Sequence, residues 1–109
     1  MLFEEYQKKS RVTVKYPNPG NNTGYVVLGL ASEAGEVCDK FKKLERDHGN
    51  VMTEEYKKKI SLEIGDCLYY LAQLCTELNL NFGDVARENL EKLFSRMERG
   101  VISGSGDDR

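Results

Sequence analysis

LASEAGEVCDKFKKL (residues 30–44) and ISLEIGDCLYYLAQL (residues 60–74) are two versions of one pattern, and their reading decides the fold. With Glu33 set over Glu63, Leu30 meets Ile60, Phe41 meets Leu71 and Leu44 meets Leu74. Apolar residues recur at helical spacing in both: Leu30, Ala34, Val37, Phe41 and Leu44 in the first, Ile60, Ile64, Cys67, Leu71, Leu74 and Leu78 in the second. The spacing predicts two long amphipathic helices packed against each other through these stripes.

The same frame aligns two acidic pairs. E-A-G-E (Glu33, Gly35, Glu36) falls over E-I-G-D (Glu63, Gly65, Asp66). At roughly 100° per residue, Glu33 and Glu63 lie about 60° from the first residue of their stripe, and Glu36 and Asp66 about 120°. The inner acid of each pair is therefore expected at the edge of the core. Residues three apart on a helix are neighbours, so each pair repels itself, and packing the helices together brings four carboxylates into one groove. Unpaired charge in a partly dry groove is costly, and a divalent cation would compensate it. An all-oxygen donor set favours Mg²⁺ or Mn²⁺ over zinc or copper. A di-iron bundle would want Glu-x-x-His, and the one histidine, His48, lies outside the frame. Each motif also carries a mid-helix glycine, which costs about 1 kcal/mol against alanine. Close helix approach or room for a ligand would justify Gly35 and Gly65.

Outward from the motifs the chain reads as four helices and no strand. A first helix is expected from Leu2 to about Val14, then a turn-rich loop, YPNPGNNT (16–23), with Thr23 as a cap. The first motif helix would run from Tyr25 to about Asp47 and stop at His48-Gly49-Asn50. Thr53 should cap the second, Glu54 to about Leu78, and a fourth helix should cover roughly Phe82 to Met97. The fold class expected is all-α, a four-helix bundle with two long antiparallel motif helices. The whole chain, 1–109, reads as a single domain, with 1–24 as N-terminal helix and loop and 100–109 (GVISGSGDDR) as a flexible tail. Two helices of more than 20 residues are long for a domain whose radius of gyration should be about 13 Å. Leu62, Tyr69 and Thr76 form a further stripe on the far side of the second motif helix. Together these predict completion of the core by a second subunit, as a homodimer or homotetramer.

Bulk composition excludes some classes. A formal net charge of −2 gives no general attraction to nucleic acid or an anionic membrane, so neither is an expected partner. There is no membrane-length apolar run and no signal-peptide pattern at the N-terminus, which leaves a cytoplasmic location as the expectation. Cys38, Cys67 and Cys75 lack C-x-x-C spacing and read as buried reduced thiols.

Taken together, LGLASEAGEVCDKFKK, LEIGDCLYYLAQL, NLEKLFSR and the tail RGVISGSGDDR resemble the all-α nucleoside triphosphate pyrophosphohydrolases of the MazG-like superfamily, in particular a subgroup common in phages and bacteria. The resemblance covers residues from about 25 to 109. It implies hydrolysis of a (d)NTP to the (d)NMP and pyrophosphate, as nucleotide-pool housecleaning. It implies Mg²⁺ held by Glu33, Glu36, Glu63 and Asp66, with Glu36 as the carboxylate that orients or deprotonates the attacking water. It makes Lys40, Lys43 and Lys92 candidates for phosphate contact and Asn89 for base or sugar, with Ser105, Asp107 and Arg109 as tail residues that close over substrate. The chain has no tryptophan, so any base stacking would fall to Tyr or Phe; Tyr25, Tyr69 and Tyr70 flank the acidic frame, and core packing is the favoured reading of them. The alternative is a helical oligomerisation or nucleotide-sensing module that binds metal without turnover.

Overall fold

The computed structural model describes residues 1–109 and consists of four helices, α1 (Phe3–Arg11), α2 (Thr23–His48), α3 (Glu54–Glu77) and α4 (Phe82–Glu98), with no strand. The caps explain the boundaries. At α2 the cap is Asn22 and not Thr23: the Asn22 side-chain oxygen accepts the Tyr25 amide at 3.2 Å. An Asn oxygen reaches that orphan amide as well as a Thr hydroxyl would, and it starts the helix two residues before Tyr25. Gly49 (φ 59°) and Asn50 (φ 60°) turn left-handed to stop α2, and the Asn50 amide donates back to the Leu44 carbonyl at 3.0 Å. Thr53 caps α3 as expected, accepting the Tyr56 amide at 3.1 Å. Asn81 caps α4 through the Asp84 amide at 2.9 Å.

The pairs along the α2–α3 seam run in opposite directions, which makes it an antiparallel hairpin. His48 meets Tyr56 with ring centroids 5.1 Å apart, the Tyr56 hydroxyl donates to the Lys40 carbonyl, and further along Gly29 faces Tyr70. Near the turn the stripes pack as expected, with Leu44, Tyr56 and Ile60 buried together. Away from the turn they do not. Phe41, Ile64 and Leu71 are exposed, Ile64 at 56%. The buried side of the C-terminal half of α3 is instead Ala72, Gln73 and Cys75, because α1 and α4 pack there. Cys38 is likewise exposed where a buried thiol was expected.

α1 and the turn after it cover most of the far-side stripe that was assigned to a second subunit. The Thr13 hydroxyl donates to the Tyr69 hydroxyl at 3.3 Å, and Gln7 Nε2 donates to Thr76 Oγ1 at 3.1 Å. Of the three stripe residues, Leu62 alone is open, at 59%. Gln7 also fixes the α3–α4 turn, since Nε2 donates to the Leu80 carbonyl and Oε1 accepts the Phe82 amide. α4 packs on α1 and on the end of α3 but makes no contact with α2. The molecule is accordingly open, with a radius of gyration of 16.8 Å where about 13 Å is usual for this length.

Beyond α4 the tail has no regular structure, as expected of its glycines and serines. It folds back along the helix. Asp107 accepts from Lys92 and from Arg96, each at 3.1 Å, and Arg109 donates to the carbonyls of Val101 and Ile102.

Candidate metal centre

The antiparallel hairpin places Glu33 of α2 against α3 where Glu63 and Asp66 project, one turn apart. Each of these three residues offers a carboxylate oxygen within 4.8 Å of the other two. Glu33 and Glu63 are half-buried and Asp66 is exposed, so the group sits at the mouth of the seam. Burial, and then the charges of Asp66, Glu63 and Glu36, push the Glu33 carboxyl above its ordinary range. That direction marks a site with more negative charge than the chain neutralises. Lys40 is the nearby cation, with Nζ 3.9 Å from Glu63. One ammonium at that distance leaves two of the three carboxylates without a cationic partner.

The donor set fits a hard divalent cation. All three donors are carboxylates, they converge from two rigid helices, and the cluster contains no histidine or cysteine. Cys67 lies next to Asp66 in sequence, and burial and the same acids push its thiol up.

Glu36, the fourth acid of the expected set, stands one turn along α2 on the exposed side and outside this group, although Glu33 feels its charge. Among the candidate substrate contacts, Lys40 is at the acids. Lys43 points elsewhere, paired with Asp39 at 2.6 Å. Asn89 and Lys92 lie on α4 beside a separate shallow cavity with Val85 and Glu88, and within one chain they do not approach the acids through any contact between α4 and α2. Lys92 is paired with Asp107, which also bonds Arg96.

Two features escaped the sequence reading. Gly35 and Gly65 are not points of close approach, because a Cβ at either would meet nothing within 4 Å. The close approach is at Gly29, where a Cβ would collide with the Tyr70 ring. The second feature is Glu77, whose side chain is fully buried at the end of α3. It accepts the backbone amides of Gly20 and Asn22, each at 2.6 Å, and the Arg11 guanidinium at 2.9 Å. Arg11 also donates to the Tyr16 hydroxyl at 2.6 Å and to Gln73 at 3.3 Å, and Gln73 donates to Ser10 at 2.9 Å. No motif marks Glu77. The signal available was an acid in the last turn of a helix, where the dipole disfavours it, so that a strong local partner was required.

The MazG nucleotide pyrophosphohydrolase domain matches residues 23–101, which spans both acidic helices and α4. The chain is 42% identical to Gene 37 protein of Mycobacterium phage L5, in an alignment of 114 positions that covers all of both chains. No solved structure matches. A domain match over most of the chain, together with carboxylates that meet where its two motif helices face each other, places this protein in the MazG nucleotide pyrophosphohydrolase family.

Proposed function

We propose that this protein hydrolyses a nucleoside triphosphate to the monophosphate and pyrophosphate in a Mg²⁺-dependent reaction that removes nucleotides from the free pool. The observation that carries the reading is the convergence of Glu33, Glu63 and Asp66 from two helices with too little cationic charge beside them. These three would hold the ion, and Mn²⁺ would fit the same donors. A divalent cation there would neutralise phosphate oxygens and favour the hydroxide form of a bound water. Glu36, exposed one turn along α2 from Glu33, would orient or deprotonate the attacking water. Lys40, 3.9 Å from Glu63, would exchange that contact for a phosphate oxygen.

The chain carries no G-x-x-x-x-G-K-[ST] loop for terminal phosphoryl transfer. Attack at the α phosphorus is proposed on the strength of the family likeness, and ¹⁸O-labelled water tests it. Label is expected in the monophosphate, and label confined to pyrophosphate would reject attack at that atom. Absence of Mg²⁺-dependent turnover across a nucleotide panel would favour a binding module without catalysis.

The working form proposed is a homodimer or homotetramer in the cytoplasm. The support is the open hairpin, where Leu28, Leu62 and Ile64 are each more than half exposed along α2 and α3. Asn89 and Lys92 remain candidates for substrate contact in that assembly, where a second copy could bring α4 to the acids. Sedimentation at micromolar concentration checks the assembly, and a folded monomer would reject it.

A further inference from the structure

The tail that folds back along α4 is a closed loop. Gly104 (φ 140°) and Gly106 (φ 80°) reverse it with backbone conformations that other residues disfavour. Arg109 fastens the reversal. Its guanidinium donates to the carbonyls of Val101 and Ile102, each at 3.0 Å, and to that of Gly106. Arg99 in turn donates to the main-chain oxygen of Arg109 at 2.7 Å.

Asp107 buckles this loop to the helix. One of its carboxylate oxygens accepts from Lys92 Nζ and from a terminal nitrogen of Arg96, each at 3.1 Å. These two cations stand four residues apart on one face of α4, with Asn89 one turn before Lys92. Arg96 and then Lys92 hold the Asp107 carboxyl below its ordinary range, so it is charged near neutral pH. The buckle is nonetheless incomplete. Arg96 is only 4% exposed, yet its Nε finds no acceptor, and an unanswered buried donor weakens the closed state. Asp107 itself is 82% exposed at its side chain, and a pair so exposed shifts an equilibrium by no more than about fivefold.

We propose that the tail is an autoinhibitory latch, in which Asp107 occupies the α4 cations that the triphosphate needs and substrate must displace it to bind. The proposal rests on the pyrophosphohydrolase reading above, in which Lys92 contacts substrate in the assembled protein. A carboxylate and a phosphate oxygen compete for the same N–H donors, and a triphosphate brings more charge and more acceptor oxygens. A phosphate can also take the guanidinium in a two-pronged grip that includes Arg96 Nε, the donor that Asp107 leaves unpaired. While the latch is closed the molecule does not bind, so the apparent affinity is reduced by the fraction that is open. A tail that closed productively over substrate would act in the opposite sense, because Asp107 would then aid binding.

The test compares the full-length protein with Asp107→Asn and Asp108→Asn on the four common deoxynucleoside triphosphates with Mg²⁺. Asp107→Asn keeps the shape and removes the charge, so KM should fall by about two- to fivefold. Asp108→Asn removes the same charge from the exposed neighbour without touching the buckle, and its KM should stay close to that of wild type. An equal fall in both variants would assign the effect to net charge and overturn the latch. An unchanged or higher KM in Asp107→Asn would overturn it as well. If no triphosphate is hydrolysed, the pyrophosphohydrolase reading fails separately, and the latch is read by calorimetric titration with inorganic tripolyphosphate. Asp107→Asn should then bind about two- to fivefold more tightly than wild type, and tripolyphosphate should speed trypsin cleavage of wild type after Arg99 as the tail is released. Equal affinities, no binding to either protein, or protection of that bond would overturn the proposal.

Discussion

α3 carries two carboxylate sites, and the chain treats them in opposite ways. At its C-terminal end Glu77 is buried, but two backbone amides and a guanidinium take up its charge. At its middle Glu63 and Asp66 meet Glu33 in a half-open groove with a single lysine 3.9 Å from one of them. The pKa directions report the contrast. Burial raises both Glu77 and Glu33. At Glu77 the amides of Asn22 and Gly20 and the Arg11 guanidinium outweigh burial and hold the carboxyl below its ordinary range. At Glu33 the neighbouring acids add to burial. A carboxylate that the chain itself satisfies ties elements together, whereas a group left unsatisfied by the fold is available to something outside it.

The largest expected effect falls on the open site. Glu63→Gln keeps shape and removes charge, so Mg²⁺-dependent pyrophosphate release should drop by on the order of 10³-fold, the scale of a lost metal contribution. Stability should hold or rise as repulsion is relieved. A variant with undiminished turnover would place the metal elsewhere.

The closed site should behave in the reverse sense. Glu77→Gln leaves Arg11 without its partner, and unfolding free energy should fall by about 3 kcal/mol in urea titrations near neutral pH. Because the folded pKa of Glu77 is depressed, its contribution is present above the unfolded value of about 4.3 and is lost as pH falls through the folded value. The gap between wild type and Glu77→Gln should therefore narrow in acid below about pH 4.3. A gap that stays constant with pH would mean that Glu77 acts by shape and not by charge.

Added cation sharpens the contrast further. Mg²⁺ at about 100 times its dissociation constant should stabilise wild type by about 2.7 kcal/mol, read as a higher thermal midpoint. The shift should disappear in Glu33→Gln and persist in Glu77→Gln. Equal shifts in all three proteins would point to non-specific screening.

The smallest effect concerns glycine. Gly35→Ala and Gly65→Ala should each add about 1 kcal/mol, since a Cβ meets open space in a helix. Gly29→Ala should destabilise, because the Tyr70 ring stands in the way. Destabilisation at Gly35 or Gly65 would show that an oligomer uses the space beside those glycines.

The two sites also differ in how far they were legible in sequence. The acidic group was readable because its members recur at fixed spacing on two helices of matched period, so helical geometry alone brings them to one face. Glu77 was not readable, because its partners come from far along the chain. Arg11 is 66 residues away, and Gly20 and Asn22 contribute backbone amides that carry no side-chain signature. The apolar stripes were half readable. Periodicity found the helices and the Leu44–Ile60 end of their contact, but not where α1 would lie.

By itself, then, the sequence determined four helices, the stop of α2 at Gly49 and the cap of α3 at Thr53, an antiparallel motif pair and an acidic focus on it. These follow from local interactions: helical period, capping side chains and left-handed residues. Only the tertiary structure decided that three acids converge while Glu36 stands aside, that α1 takes the far face of α3, and that four tyrosines wall a cleft beside Glu33. Those outcomes depend on the angle and depth at which helices pack. Contacts such as Gly29 against Tyr70 and Arg11 against Glu77 set them, between residues that no local pattern connects.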